Sequence, residues 1–227
     1  MKELEIDIET KSDRDIVKCG VYAYADSPHF AVTLFSVSVD GGVVQLYDLT
    51  AGDEIPSEIL NALVDECIIK RAFNVQFERV CLSKYLRVHY PEIFSSYSID
   101  EDTVHDYLSP RSWQCTMIHA RYLGLPSSLA QVGEVLKLQQ QKMTEGKALI
   151  KFFCVPYDYE NGTPLFTILL IIPKSGSFSR NIISVMWKRN WKSTDDFQNI
   201  PFPITSGKNF ISTRRLTIEV LRWIWNL

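Results

Sequence analysis

The sequence lacks long hydrophobic runs. No apolar stretch among its 227 residues approaches the roughly 18 residues that a membrane-spanning helix needs. The first residues also lack the basic segment and apolar stretch of a secretory leader. We therefore expect a cytoplasmic protein with no membrane partner.

Cysteine is sparse as well. The five cysteines are odd in number and widely spread, and none has CxxC spacing. This pattern argues against both a disulfide framework and a zinc site. We expect the cysteines to be small buried or half-buried hydrophobic residues.

The net charge is small, at −3, but its distribution is uneven. Residues 1–157 hold 22 acids and 15 Lys or Arg, which gives −7, whereas residues 158–227 hold 5 acids and 9 Lys or Arg, which gives +4. Four of the five tryptophans also lie in the second part. Such a break indicates a second domain or a change in the origin of the sequence.

The pattern of apolar residues predicts a mixed α/β domain. Residues 4–9 alternate as in a half-buried strand, and residues 30–39 and 43–47 read as a hairpin around Asp40-Gly41-Gly42. A helix is predicted after Pro56, a strand over 68–72 and a second helix after Asn74. Helical segments are predicted from Cys115 to Phe153. The expected order is strand, hairpin, helix, strand and helices.

Asp7 and Glu9 are the first candidate site residues. Side chains two residues apart in a strand point to the same side, so both carboxylates project from the face opposite Leu4, Ile6 and Ile8. Two adjacent carboxylates suit hard divalent cations, and a two-metal site can clamp both oxygens of a phosphodiester. A solvated polar strand face remains an alternative.

Glu78 is the second candidate. It lies in Asn74-Val75-Gln76-Phe77-Glu78, at the junction of an apolar strand and a helix, where a carboxylate can reach back over the sheet. The alternative is a helix start with Asn74 as the cap and Glu78 as a solvated acid of the first turn.

Together these segments resemble a known family. Asp-Ile-Glu-Thr at 7–10 and Ala-Phe-Asn-Val-Gln-Phe-Glu at 72–78 resemble the first two motifs of DEDD (DnaQ-like) 3′–5′ exonucleases. Residues 1–156 are similar to the proofreading domain of phage-type family A DNA polymerases. Further stretches that extend this similarity are Lys18-Cys19-Gly20-Val21-Tyr22, Cys115-Thr116-Met117, Leu123-Gly124-Leu125-Pro126 and Thr144-Glu145-Gly146-Lys147.

The resemblance implies a ribonuclease H-like fold, with a mixed sheet between layers of helices, incomplete at its C-terminal end. It implies two Mg²⁺ or Mn²⁺ ions, no small-molecule cofactor, and stepwise removal of nucleotides from a single-stranded DNA 3′ end in the bacterial cytoplasm. Asp7 would bind both ions, Glu9 would bind one and orient the attacking water, and Glu78 would support the second ion. The implied DNA-binding residues are Thr10, Asn74 and Phe77. The implied partner is a family A polymerase domain that this chain lacks.

Two features depart from the family pattern. Most of the superfamily has Asp where this chain has Glu78, which changes the metal geometry by one methylene. The family also has a Tyr-x-x-x-Asp motif, which supplies a fourth carboxylate and a water-orienting tyrosine. No tyrosine after Glu78 has an aspartate four residues later. Asp195-Asp196 could substitute, although a solvated loop is the alternative we favour.

A change of reading frame would explain the missing motif. If the message is read two nucleotides out of register over residues 174–188, the codons permit Tyr-Asn-Ile-Arg-Asp followed by Val-Glu, and Met186 and Trp187 force that Val-Glu. We therefore predict a domain over 1–156. We also predict an out-of-frame, poorly folded tail over 157–227.

The leading functional prediction is a 3′–5′ DNA exonuclease domain that is impaired by loss of the third motif. A non-catalytic module that binds single-stranded DNA ends is one alternative. A prophage fragment without function is the other.

Overall fold

The computed structural model describes residues 1–95, 106–137 and 154–166, and the backbone of strands at 168–173 and 183–188. The described part contains no helix that is both long and apolar enough to cross a membrane.

A mixed five-stranded sheet forms the centre of the fold. Its strands are β1 (Glu3–Lys11), β2 (Ala31–Val39), β3 (Gln45–Asp48), β4 (Ile69–Ala72) and β5 (Trp113–Cys115). They lie in the order β3-β2-β1-β4-β5, with β2 antiparallel to both neighbours and with β1, β4 and β5 parallel. This arrangement confirms the predicted α/β class and agrees with a ribonuclease H-like fold.

The described part of the chain has six helices beside the sheet: α1 (Ile16–Ala25), α2 (Ser57–Val64), α3 (Val75–His89), α4 (Pro91–Ser95), α5 (Thr116–Tyr122) and α6 (Leu129–Val135). The apolar faces of α2 and α3 pack in one core cluster with Leu4, Ile6 and Ile8 of β1. A smaller cluster joins α5 and α6 through Ala120 and Val132, with Phe73 packed against it. The main core therefore lies on the face of β1 that carries its even-numbered side chains.

The turn that joins β2 to β3 also fixes the start of β1. Asp40 and Gly41 adopt positive φ, and the Gly42 amide donates to the Val39 carbonyl at 2.8 Å. The Asp40 carboxylate accepts hydrogen bonds from the backbone amides of Lys2 and Glu3 at 2.6 and 2.9 Å, and these bonds lower its pKa. One side chain thus ties the hairpin to the first strand.

The sequence predictions differ from the structure in four respects, one of which is that β5 was not predicted. Helix α1 was not predicted, because Gly20 and the alternating Val21-Tyr22-Ala23-Tyr24 do not have a helical pattern. The helical region begins at Thr116, since Cys115 ends β5. Cys19 and Cys67 are exposed, which corrects the expectation that all cysteines are at least half-buried.

The tail contains two antiparallel strand pairs in its described part: β6 (Asp158–Glu160) with β7 (Thr163–Leu165), and β8 (Ile168–Pro173) with β9 (Ile183–Lys188). The domain boundary near residue 156 and the frame change stay predictions. Residues 138–153 and the Asp195-Asp196 pair lie outside the described residues.

Candidate active site

The central strand β1 separates its side chains into an apolar row and a charged row. Leu4, Ile6, Ile8 and Thr10 are buried and alternate with the charged row of Glu3, Glu5, Asp7, Glu9 and Lys11. The register shift beside Glu9 arises because β2 contains an extra residue, Thr33, between the partners of Glu9 and Thr10. The alternation of β1 therefore continues through the shift, and Lys11 shares a face with Asp7 and Glu9.

Asp7 and Glu9 lie side by side on this face, as predicted, and both are half-buried. Ser36 is the β2 partner of Asp7, and its hydroxyl donates to the Asp7 carbonyl at 3.0 Å. The preceding acid, Glu5, is only 2% exposed, whereas Asp7 and Glu9 are more open. The charged row thus becomes accessible toward the C-terminal end of β1.

Glu78 lies in the first turn of α3, directly after β4, at the sheet end where β1 also terminates. Its side chain is 6% exposed and its Oε2 atom is buried, so it is not the solvated acid of the alternative interpretation. One turn later, burial and the charge of Glu78 raise the pKa of the Cys81 thiol. Glu78 is therefore a buried carboxylate in the first turn of α3.

Tyr24, which belongs to neither predicted motif, connects the two motif segments. Its hydroxyl lies 2.9 Å from the Thr10 hydroxyl, and its ring centroid lies 6.4 Å from that of Phe77. The Ser12 hydroxyl donates to the Tyr24 carbonyl at 3.1 Å. Burial raises the pKa of Tyr24, the hydrogen bond with Thr10 opposes this effect, and the negative charge of Glu9 adds to it. One aromatic residue of α1 thus bridges the end of β1 and the start of α3.

Helix α1 is held in this position by local contacts. The Asp15 carboxylate caps the helix by accepting from the Val17 amide at 3.0 Å. Gly20 has φ +75° and ψ 167°, which kinks the helix. The Arg79 guanidinium of α3 donates to the Tyr22 hydroxyl at 3.4 Å and to the Leu108 carbonyl at 2.6 Å. These contacts fix α1 against α3.

The three predicted DNA-binding residues have different environments. Asn74 is exposed and its side chain makes no capping hydrogen bond, although it occupies the N-cap position of α3. Phe77 is half-buried beside Tyr24. Thr10 is 4% exposed, and its hydroxyl interacts with Tyr24. DNA contact by these residues stays a prediction, and Asn74 is the most accessible of them.

Among the described residues, no group of three or more His, Cys, Asp or Glu side chains is positioned to hold a metal ion. The structure brings Asp7 and Glu9 to one face of β1 and sets Glu78 on α3. A two-ion site formed by the three carboxylates stays a prediction.

The segment around residues 154–166 lies against the C-terminal end of β1. The Ser12 amide donates to the Cys154 carbonyl at 3.3 Å. The Lys11 ammonium lies 5.0 Å from the centre of the Phe166 ring, within the range of a cation–π contact. Burial lowers the pKa of Lys11. The charged row therefore ends at Lys11, a half-buried cation whose ammonium lies over the Phe166 ring.

Comparison with known proteins finds a similarity to a DNA polymerase. No protein-family model matches the chain. A DNA polymerase of Bacillus phage SP02 is 42% identical to it over 156 residues. The matched stretch is 69% of this chain and 21% of that polymerase, so the chain spans about a fifth of the relative's length. Over this stretch the chain is related to a phage DNA polymerase.

Proposed function

We propose that this chain is a 3′–5′ exonuclease domain of DNA polymerase ancestry, acting on the 3′ end of single-stranded DNA at a reduced rate. The observation that carries the proposal is the side-by-side placement of Asp7 and Glu9 on the central strand, at the sheet end where α3 begins with Glu78. The relation to a phage DNA polymerase supports DNA as the substrate.

The donor set fits Mg²⁺ or Mn²⁺ in its chemistry. Asp7, Glu9 and Glu78 offer only carboxylate oxygens, which hard divalent cations prefer. Asp7 would be the shared ligand, with Glu9 and Glu78 as its partners. When bound, the ions would supply a nucleophile at neutral pH and stabilise the charge that develops on the phosphodiester.

The protein's own contribution would be positioning. Glu9 would orient the attacking water, and Asp7 would set the distance between that water and the scissile phosphate. Asn74, which is exposed at the start of α3, would contact the terminal nucleotide together with Phe77 and Thr10. Tyr24 would act as a positioning residue, because it links Thr10 to Phe77.

The reduced rate follows from the missing Tyr-x-x-x-Asp motif. Without a fourth carboxylate and a water-orienting tyrosine, one ion would be held weakly and the nucleophile poorly aligned. Loss of such groups costs orders of magnitude in rate. This departure also favours the second candidate, a module that binds DNA ends without cleaving them.

The test uses single-stranded DNA labelled at its 5′ end, incubated with Mg²⁺, with Mn²⁺ or with EDTA. Stepwise shortening that requires the metal, and that is lost in Asp7→Ala and Glu9→Ala, is the expected result. Glu134→Ala, which removes an exposed carboxylate on α6, is the matched control and should leave the rate unchanged. Shortening that survives Asp7→Ala would contradict the proposal. DNA binding without shortening would establish the second candidate instead.

A further inference from the structure

Lys11 is a cation on the same face of β1 as Asp7 and Glu9. Successive residues on one face of a strand are separated by roughly 6.6 Å along its axis. Lys11 therefore lies one step beyond Glu9 along the charged row. A strand of DNA whose terminal phosphodiester lies at the two carboxylates would run past this ammonium in one of its two possible directions.

The charge of Lys11 is not matched by an anion in the described part of the chain. No carboxylate there forms an ion pair with it, whereas the partly buried Arg71, Lys84 and Arg87 are paired with acids. Within the described residues, its ammonium contacts the Phe166 ring, whose centroid lies 5.0 Å away. A half-buried cation loses hydration that an aromatic ring replaces only in part, so an anionic ligand is favoured there.

We propose that Lys11 binds a backbone phosphate of the DNA strand whose 3′ end lies at Asp7 and Glu9. This inference rests on the proposed function and adds the residue that fixes the phosphate next to the scissile one. The ligand class is a phosphodiester in a nucleic acid strand, recognised by charge and independently of base sequence. The Phe166 ring would hold the ammonium in position for that contact.

Binding of a fluorescent single-stranded oligonucleotide in EDTA tests the inference without cleavage. Lys11→Gln should weaken binding severalfold and lower the slope of log K against log salt by about 0.7, the value for one phosphate contact to a single strand. Lys2→Gln removes the same charge just before β1 at an exposed position, and it should change neither quantity. Lys11→Arg should restore the slope, and Lys11→Met serves if Lys11→Gln does not fold.

A thermodynamic cycle that combines a modified DNA linkage with a protein substitution identifies the phosphate that Lys11 contacts. Neutral methylphosphonate linkages are placed one at a time along the oligonucleotide, and wild type is compared with Lys11→Gln. At the linkage that Lys11 contacts, the losses of binding free energy caused by the neutral linkage and by Lys11→Gln should be less than additive. At other linkages these losses should be additive. Inorganic phosphate is the competitor that separates a DNA site from a site for the free anion. Displacement of DNA from wild type by low millimolar phosphate would overturn the DNA assignment.

The outcomes separate this inference from the proposed function. If wild type shortens DNA and Lys11→Gln binds it with unchanged affinity and salt slope, the role of Lys11 is overturned and the exonuclease proposal stands. If wild type neither binds nor shortens DNA, both fail. If it binds without shortening and Lys11→Gln weakens the binding, the Lys11 site stands and the catalytic proposal fails.

Discussion

The hydroxyl oxygens of Thr10 and Tyr24 lie 2.9 Å apart in a buried part of the protein, and this contact joins the central strand to α1. The Tyr24 ring also lies against Phe77 at the start of α3. Tyr24 therefore contacts both Thr10, which follows Glu9 on β1, and Phe77, which precedes Glu78 on α3. The predicted site depends on α1, a helix that carries none of its carboxylates.

Removal of the Tyr24 hydroxyl tests this link. Tyr24→Phe leaves the buried Thr10 hydroxyl without this partner, and we expect the free energy of unfolding to fall by about 1 kcal/mol. Urea denaturation measures the change, with Tyr159→Phe as an exposed control. In a double-mutant cycle with Thr10→Val, the two losses should be less than additive. Full additivity would show that the hydroxyl pair contributes nothing.

Lys70 should make stability depend on alkaline pH. It is 1% exposed, its ammonium donates to the Asp65 carbonyl at 2.6 Å, and burial lowers its pKa from 10.5 to about 8. Between pH 8 and 10 the unfolded chain therefore binds more protons at this residue than the folded chain. Stability contributed by Lys70 rises with pH in this window, by at most about 1.4 kcal/mol per pH unit.

The measurement compares wild type with Lys70→Met by urea denaturation between pH 8 and 10. The difference in unfolding free energy, wild type minus variant, should increase with pH. Buried tyrosines with raised pKa values, such as Tyr24 and Tyr85, lower the stability of both proteins at higher pH and cancel in the difference. A difference that is flat with pH would contradict the lowered pKa of Lys70.

Gly20 should resist substitution because of its backbone conformation. Its φ of +75° and ψ of 167° lie in a region that is almost restricted to glycine, while an added Cβ would meet no atom within 4 Å. We expect Gly20→Ala to lower stability by about 1–3 kcal/mol through backbone strain alone. Val17→Ala, at a position of α1 that is 91% exposed, is the control and should have little effect. Thermal denaturation measures both.

Cysteine labelling should distinguish the buried thiol of Cys81 from the exposed thiols of Cys19 and Cys67. Cys81 is fully buried and its pKa is raised, whereas Cys19 and Cys67 are exposed. We expect iodoacetamide to modify Cys81 roughly a hundredfold more slowly than Cys19 in the native protein, and at a similar rate in denaturant. Peptide mapping by mass spectrometry measures the extent of modification at each cysteine. Equal native rates at Cys81 and Cys19 would contradict the packing of α3 on the sheet.

Strands β1 to β4 were predictable because their signals are local, whereas the short strand β5 was not predicted. The alternation of residues 4–9 and the turn residues after Val39 predict β1 and the hairpin, and both agree with the structure. Helix α1 was not predictable, since its Gly20 and alternating aromatics match no helical period and its position depends on contacts with α3. The sequence also leaves the environment of Glu78 open, because a first-turn acid is solvated or buried according to what covers it.

The site was predictable in part for the same reason. Asp7 and Glu9 share a face through strand periodicity alone. Tyr24 gave no signal beyond its place in an aromatic stretch, because its link to Thr10 spans 14 residues of sequence and depends on the path of α1. The accessibility of Asn74 likewise depends on how α3 begins.

The position of Thr33 has a consequence for how the chain tolerates insertions and deletions. The extra residue of the sheet lies in β2, so β2 can accommodate an irregularity while β1 remains strictly periodic. Loss of a single residue between Ile6 and Glu9 would turn acids toward the core and aliphatic side chains outward. Such a deletion would remove stability and the carboxylate pair in one step. The length of β1 is therefore constrained both by the core and by the carboxylate pair, whereas that of β2 is constrained by the core alone.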